Sequence, residues 1–469
     1  MIVRLAGYNL DKTQIDKLSD QEAATPETIS ASYARISRSD KSVTELREEA
    51  ISEVAKARKS NRNIIFEMGH SSVAEHAVFN FDLIGVSRIL TEIIQRSRLA
   101  SFTEKSQRYV TFSDDYVIPQ ELVDQQSKKE YQLYVKEAYH GYYQIYTKLK
   151  DHLENIGFEG KKRELEGRAK EDARYVLPLS MQTQMGMTIN ARSLAILLRR
   201  LHSSNLAEAR NLYCLILDSV RPVVPSLIRY TESDEFLRWS IAKLNISPKS
   251  TSKTSDNTKI VAATSDPDDL ILAGMIFETT GDELENVIHQ VRDLSYEDKY
   301  QIYQSLYKDM RSFHTLPRCF ELVDFTIEAT MSASCFAQFK RHRMCTIIKS
   351  DYTDGFIVPP LVEEADCADK LTELMRKAEL MCEKLERIKV GLGAYARTNA
   401  HKCKVLMKAN LREFHHFARL RSDSHAQWEI RELSQKITKL INKRAPLSSA
   451  RMMGKDEFGE QFKNHNSGS

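Results

Sequence analysis

The chain has 469 residues, 42% hydrophobic and 28% charged, with a formal net charge of +3. That length exceeds one ordinary core and predicts two domains, and the composition excludes a disordered or fibrous chain. The near-balanced charge lends no support to a polyanion binder, and no run reaches the about 18 apolar residues of a spanning helix. Seven cysteines (Cys214, Cys319, Cys335, Cys345, Cys367, Cys382 and Cys403) form no CxxC pair. With no signal peptide in view, they point to free thiols in a reducing cytoplasm.

Alternation around Val3, Leu5 and Gly7 predicts a short first strand. TPETISASYARIS follows as a helix, with Thr25 as N-cap and Pro26 at the first helical position. Leu46, Ala50, Ile51, Val54 and Ala57 stand at helical spacing between Val43 and Ser60, predicting one helix capped by Thr44. Ala77, Phe79, Phe81 and Leu83 alternate with Val78, Asn80 and Asp82 as in a strand, and SRILTEIIQ continues as a short helix. From Lys128 to Leu153 a long amphipathic helix is expected, its tyrosines half-buried by packing. EDARYVLPLS reads as a turn, TINARSLAILLRRL as a helix, and Asn205 to Pro225 as more helix. Ser247 to Asp269 is rich in Ser, Thr, Asp and Lys and reads as a linker between residues 1–246 and 270–469.

The second half repeats the first weakly but in order. SFHTLPRCFELVDFTIEATMSASCFAQFKRHR echoes GHSSVAEHAVFNFDLIGVSRILTEIIQRSR, each a histidine, a strand and a helix ending in R-x-R. His70 and His314 serve as the matching landmarks, and ANLREFHHFARLR later echoes INARSLAILLRRL. A shared order of this kind argues for a tandem duplication.

Arg96, Arg98 and Arg108 lie near Ser101, Glu104 and Ser106 in RSRLASFTEKSQRY. Guanidinium forks match phosphate geometry, hydroxyls add neutral donors, and Glu104 or Ser106 could read a sugar or base edge. A solvated charged loop is the commoner fate of such a stretch. His70 and His76 flank Glu75, and His415 and His416 share a helix with Arg412, Arg419 and Arg421. Neither set gives enough ligands for a metal, and none is expected. No P-loop is present, GLGAY is too short for a dinucleotide fold, and no nucleophile–base arrangement stands out. Read from its residues, the chain binds something anionic, best a nucleotide.

RSRLASFTEKSQRY resembles RHRxxSxNExSxRY, the signature of the flavin-dependent thymidylate synthases. Arg96, Arg98, Ser101, Glu104, Ser106, Arg108 and Tyr109 match, while Ser97 replaces the histidine and Thr103 the asparagine. GHSSVAEHAVFNF, EDARYVLP and NARSL resemble further family segments, the last two through Arg174, Asn190 and Arg192. The resemblance implies an α+β fold, two tandem copies of a twisted, largely antiparallel sheet flanked by helices. It also implies that the R-H-R part and the turn with His70 and Ser72 contact FAD, and that the E-x-S-x-R part holds deoxyuridylate (dUMP).

The copies have diverged in complementary ways. The first keeps Glu104, Ser106 and Arg108; the second keeps Arg341, His342 and Arg343 but has Lys349, Asp351 and Thr353 in the nucleotide part. Arg174 faces Ala394 in ungapped alignment, Arg421 faces Leu201, and Gln338 faces Ile93. A further family asparagine is Ile196 in one copy and His416 in the other, while Asn190, Arg192, Asn410 and Arg412 keep N-x-R in both. By resemblance, Glu104, Ser106, Arg108, Gln338, Arg174 and Arg421 bind substrate, the last and Arg174 also serving catalysis. His70, Ser72, Arg96, Arg98, Asn190, Arg192, Arg341, His342, Arg343, Asn410, Arg412 and His416 are the flavin set. Since family enzymes are homotetramers with shared sites, two fused chains would make a homodimeric pseudo-tetramer with composite sites. The chemistry implied is reductive methylation of dUMP to dTMP, NADPH reducing FAD and methylenetetrahydrofolate giving the carbon. A methylase or hydroxymethylase of another pyrimidine nucleotide and a non-catalytic nucleotide-binding scaffold are the alternatives.

Overall fold

The computed structural model describes residues 1–10, 16, 25–36, 39–106, 115–233, 236 and 258–458. They fall into two compact units: Met1–Pro248 with Val358–Asn399, and Lys249–Ile357 with Ala400–Ser469. In the first, strand β1 (Ile2–Tyr8) precedes helices α1 (Glu27–Arg35), α2 (Val43–Ser52) and α3 (Val54–Arg62). Strand β2 (Val78–Ser87) then runs into α4 (Arg88–Ile94) and β3 (Ala100–Glu104). The long α5 (Gln125–Asn155) and α6 (Lys162–Ala173) lead to β4 (Gln182–Asn190), α7 (Ala191–His202) and α8 (Ala207–Val220).

The second unit opens with β5 (Thr258–Ala263) and helices α9 (Pro267–Thr280), α10 (Leu284–Asp293) and α11 (Tyr296–Tyr307). It continues with β6 (Asp324–Ser332), α12 (Ala333–Phe339) and β7 (Thr346–Lys349). Helices α13 (Pro360–Glu364) and α14 (Ala368–Ile388) belong to the first unit, after which β8 (Lys402–Asn410), α15 (Leu411–Arg421) and α16 (Trp428–Asn442) return to the second.

The two antiparallel sheets have one topology, β1-β2-β4-β3 and β5-β6-β8-β7. Strand β2 pairs with β4 from Val78↔Asn190 to Ser87↔Gln182, and β6 with β8 from Asp324↔Asn410 to Ser332↔Lys402. Even the irregularity of the first strand recurs, between Leu5 and Gly7 and between Ile260 and Ala262. This α+β architecture is a tandem duplication in space as well as in sequence. On the buried faces, Phe79, Phe81 and Leu83 meet Met185, Met187 and Ile189, and Phe325 and Ile327 meet Val405 and Met407. That period-two burial is what commits these segments to a sheet packed on one side.

Several local expectations need correction. Helix α1 starts one residue later than predicted, with Pro26 as N-cap, while the Thr25 hydroxyl still accepts from Glu27 N–H at 3.3 Å, as a capping side chain does, and donates to the Val223 carbonyl at 2.7 Å. Ser42, not Thr44, caps α2, in a capping box with Glu45. The single helix expected from Val43 to Ser60 breaks at Glu53, whose φ of −129° and ψ of 61° leave the helical region. Residues 247–257 of the expected linker lie outside the described residues, whereas Thr258–Ala263 forms edge strand β5, with Thr258 buried and Lys259 and Val261 exposed. Strands β4 and β8 were not anticipated at all. Their inward positions mix Met, Cys and Ala with the strand formers Ile189 and Val405, and the former fill a core without announcing a strand.

In the first unit, α14 lies along α5, and the Tyr134 hydroxyl donates to the Ala396 carbonyl at 2.6 Å. A short bridge joins Pro178 to Thr398, with Leu179 N–H donating to Arg397 O (2.7 Å) and Asn399 N–H to Leu177 O (3.0 Å). The spacing that separates Asn190 from Asn410 also separates Leu177 from Arg397 and Leu179 from Asn399. Equivalent positions thus exchange donor and acceptor across a local two-fold, as at the isologous contact of a homodimer. Among the described residues, no helix is long and apolar enough to cross a membrane.

Candidate active site

Each sheet aims its R-x-R stretch by the same device. Ser87 ends β2 and its hydroxyl accepts from Leu90 N–H at 3.1 Å, starting α4; Ser332 does the same for Cys335 at 3.0 Å, starting α12. A buried glutamate holds each serine from behind. Glu208 accepts from Ser87 N–H (2.8 Å) and O–H (2.6 Å), and Glu429 from Ser332 N–H (2.8 Å) and O–H (2.5 Å). The Tyr395 hydroxyl also donates to Glu208, at 2.7 Å, while burial raises the pKa of that carboxyl.

In the second unit α12 delivers Gln338, Arg341, His342 and Arg343 to the C-terminal turn of α15. Nε of Arg421 donates to Nε2 of His342 at 3.0 Å, and its Nη2 to the Gln338 carbonyl at 3.2 Å. Nδ1 of His342 faces Oε1 of Glu413 at 3.3 Å, so the neutral ring carries its proton there. Phe417 packs on the imidazole at 4.7 Å between centroids, and His416 lies at 5.9 Å. Burial above all pushes the His342 pKa down to about 4, with the Arg421 charge adding to it. Arg341 and His416 are exposed and Arg343 is half-buried.

The N-x-R residues support both sites alike. Asn190 caps α7 (Ser193 N–H, 2.8 Å) and Asn410 caps α15 (Glu413 N–H, 2.9 Å). Arg192 pairs with Glu75 at 2.5 Å, and Arg412 with Glu321 at 2.7 Å. These matching pairs equate His70 with Leu316, whose carbonyl accepts from Arg412 Nε at 2.8 Å, and correct the alignment of His70 with His314. His70 and Ser72 are exposed on the first unit, as are Arg96 and Arg98.

Glu104 closes β3, where Gln95 donates to its Oε2 at 2.9 Å and Arg88 to Oε1 at 3.3 Å. Ser106 is half-buried beside it, and Arg108 lies outside the described residues. Arg174 is buried in the turn after α6, its Nε donating to the Glu171 carbonyl at 3.0 Å. In the second copy Lys349 takes the place of Glu104 and sits over the Tyr352 ring at 3.8 Å. The structure therefore groups Gln338, His342, His416 and Arg421 in one unit and Arg96, Arg98, Glu104 and Ser106 in the other.

A family model described as thymidylate synthase complementing protein matches residues 17–226 and again residues 227–447. The chain belongs to this family, as a tandem pair. A flavin-dependent thymidylate synthase of Clostridium tetani is 35% identical over 212 residues, 44% of this chain and 82% of the relative. The UPF0159 protein Ta1429 of Thermoplasma acidophilum is 23% identical over 420 residues, 80% of this chain and 84% of that one. The flavin-dependent thymidylate synthase ThyX of Helicobacter pylori, solved with FAD and dUMP, shares 20% identity at a TM-score of 0.32, covering 49% of this chain and all (100%) of that one.

Sequence reading missed Glu413, Glu321, Arg88 and Gln95, and took Glu75 only as the acid between His70 and His76. Glu413 carried a signal, since it follows the matched Arg412 on the same helix; the others emerge only when strands and helices meet. Two hollows of the first unit contain none of the predicted residues. One of about 860 Å³ is lined by Arg35, Lys41, Glu49 and Arg62, and one of about 590 Å³ by Tyr143, Lys148 and Cys367.

Proposed function

We propose that the chain is a cytoplasmic flavin-dependent thymidylate synthase, converting dUMP to dTMP with methylenetetrahydrofolate as carbon donor and NADPH as reductant. The single observation that carries this reading is the bonding of Arg421 to both His342 and Gln338. Family resemblance gives these residues to flavin and nucleotide separately, and here they share one hydrogen-bonded group. The donor set also suits FAD: Arg341, His416, Arg96 and Arg98 leave cationic or imidazole groups at the surface, as a pyrophosphate requires. When bound, FAD supplies the hydride chemistry.

The chain's own residues would bind and orient. Glu104, Ser106 and Arg108 hold the nucleotide, and Arg174 and Arg421 stabilise negative charge developing on the pyrimidine. His342, fixed by Glu413 and packed on Phe417, sets the direction of Arg421. The retained residues of the two copies complement one another, which favours composite sites in a homodimer that mimics a tetramer.

Tritium release from C5-labelled dUMP, assayed anaerobically with FAD, NADPH and methylenetetrahydrofolate, tests the reading. Release that requires all three is expected. Release without the folate would assign a different carbon donor, and no release with flavin bound would move the activity to another pyrimidine nucleotide or remove it.

A further inference from the structure

Linear alignment counts the nucleotide arginine of the second copy, Arg421, as lost from the first, where Leu201 stands. Leu201 is fully buried, and the residue before it is Arg200; in the second copy that preceding residue is the 43% exposed Leu420. The order Leu-Arg has become Arg-Leu. The guanidinium nevertheless returns to the same place. Arg421 donates to the Gln338 carbonyl at 3.2 Å and to the His342 side chain at 3.0 Å. Arg200 Nη1 donates to the Ile93 carbonyl at 3.3 Å and to the Ser97 hydroxyl at 3.4 Å. Ile93 and Ser97 are the counterparts of Gln338 and His342, each placed alike after its helix-capping serine.

The surroundings of the two arginines differ in charge. His342 is backed by Glu413, whereas both hydrogen-bond partners of Arg200 are neutral oxygens. The charge that acts on Arg200 is another cation, Arg96: burial first and then Arg96 push the Arg200 pKa down to about 10. Among the described residues, no carboxylate bonds Arg200 or Arg96. Two guanidinium groups act on one another there, one of them partly desolvated and neither bonded to a carboxylate among the described residues, and a bound oxyanion removes that cost.

Resting on the function proposed above, we infer that Arg200 restores the missing arginine of the first copy and, with Arg96, forms a binding site for the phosphoryl group of a nucleotide. That group is the monophosphate of the substrate or the pyrophosphate of the flavin dinucleotide. The first copy thus keeps an anion site of its own, which a count of aligned residues writes off.

Calorimetric titration of the full chain with dUMP, FAD and inorganic pyrophosphate, in wild type, Arg200→Ala and Arg200→Lys, tests this. The expected result is binding at least tenfold weaker in Arg200→Ala, and an intermediate value for lysine, which keeps the charge and loses the fork. Weakening for dUMP alone assigns the site to substrate, and weakening for FAD alone assigns it to the cofactor; either supports the inference. Affinities in Arg200→Ala within twofold of wild type for all three ligands overturn it. If wild type binds neither nucleotide, the proposed function fails, and pyrophosphate decides alone: binding lost with Arg200 supports the site, and absent or unaltered binding overturns it. Should Arg200→Ala not fold by circular dichroism, Arg200→Lys decides, a threefold or greater loss supporting the site and wild-type binding overturning it.

Discussion

Arg421 donates to Nε2 of His342 at 3.0 Å, and this bond fixes the imidazole as the neutral Nδ1–H tautomer facing Glu413. A protonated ring could no longer accept from a guanidinium. His415, one turn away from the same helix's start, is also buried, its Nε2–H donating to the Ser448 carbonyl at 2.9 Å. Both histidines have pKa values lowered to about 4, burial being the first cause in each.

Acid should therefore weaken the fold. Between the ordinary histidine pKa of about 6.5 and the folded value of about 4, the unfolded chain binds protons that the folded chain refuses. Stability is full above that window and is lost as pH falls through it, by up to about 3 kcal/mol per histidine. Replacing His415 by Gln, whose amide can still donate to Ser448, should flatten the slope between pH 6.5 and 4 by about one proton. Denaturant unfolding across that range measures it; an unaltered slope would remove His415 as a contributor.

Gly393 tests the packing of α14 in the first unit. A Cβ there would stand 2.7 Å from Cys382 Sγ, 2.8 Å from Glu386 Cγ and 2.9 Å from the Cys382 carbonyl oxygen. The last is helix backbone and cannot rotate aside. Gly393→Ala should cost about 1–3 kcal/mol through overpacking, read as a lower denaturant midpoint with unchanged m-value. A neutral effect would mean that the turn at Leu392–Tyr395 can lift off the helix.

Glu208 and Glu429 are the posts on which the two R-x-R stretches hang. Glu208 receives three donors, two from Ser87 and one from Tyr395. Glutamine offers one acceptor oxygen and turns an N–H₂ group toward donors. Glu208→Gln should lose about 2–4 kcal/mol of stability, since buried donors are left unmatched. Thermal unfolding would show it, and a stability equal to wild type would mean that the serine and tyrosine find other acceptors.

How much of this was legible depends on the kind of signal. Strand β2 was readable because Phe79, Phe81 and Leu83 alternate with Asn80 and Asp82. Strand β4 has the same alternation in Thr183, Met185, Met187 and Ile189, but methionine and the central Gly186 are weak strand formers, so its period went unread. Gln338, His342 and Arg421 were reached by resemblance, and Arg421 links them by bonding the His342 ring and the backbone carbonyl of Gln338. Arg200 was not reached, because alignment compares Cα positions whereas a long arginine side chain can arrive at one carbonyl from either of two neighbouring positions. Glu104 was read as a substrate residue, and nothing in the sequence announced the buried arginine waiting for it.

That arginine, Arg88, gives the sharpest test of the substrate role. The Arg88 and Glu104 side chains are 2% and 7% exposed, with Nη1 and Oε1 3.3 Å apart. The second copy has Ala333 and Lys349 at these positions, so the pair belongs to the first copy alone. Removing one member leaves the other charge buried without it, and Glu104→Gln alone should cost about 3–5 kcal/mol. Loss of nucleotide binding in that variant would say little, since folding suffers too. The double variant Arg88→Met with Glu104→Gln removes both charges, and its stability should return to within about 1 kcal/mol of wild type. If Glu104 contacts the nucleotide, dUMP affinity in the double variant stays at least tenfold down while the unfolding temperature recovers. Affinity that returns together with stability would make Glu104 a structural partner of Arg88 and take it out of the substrate site.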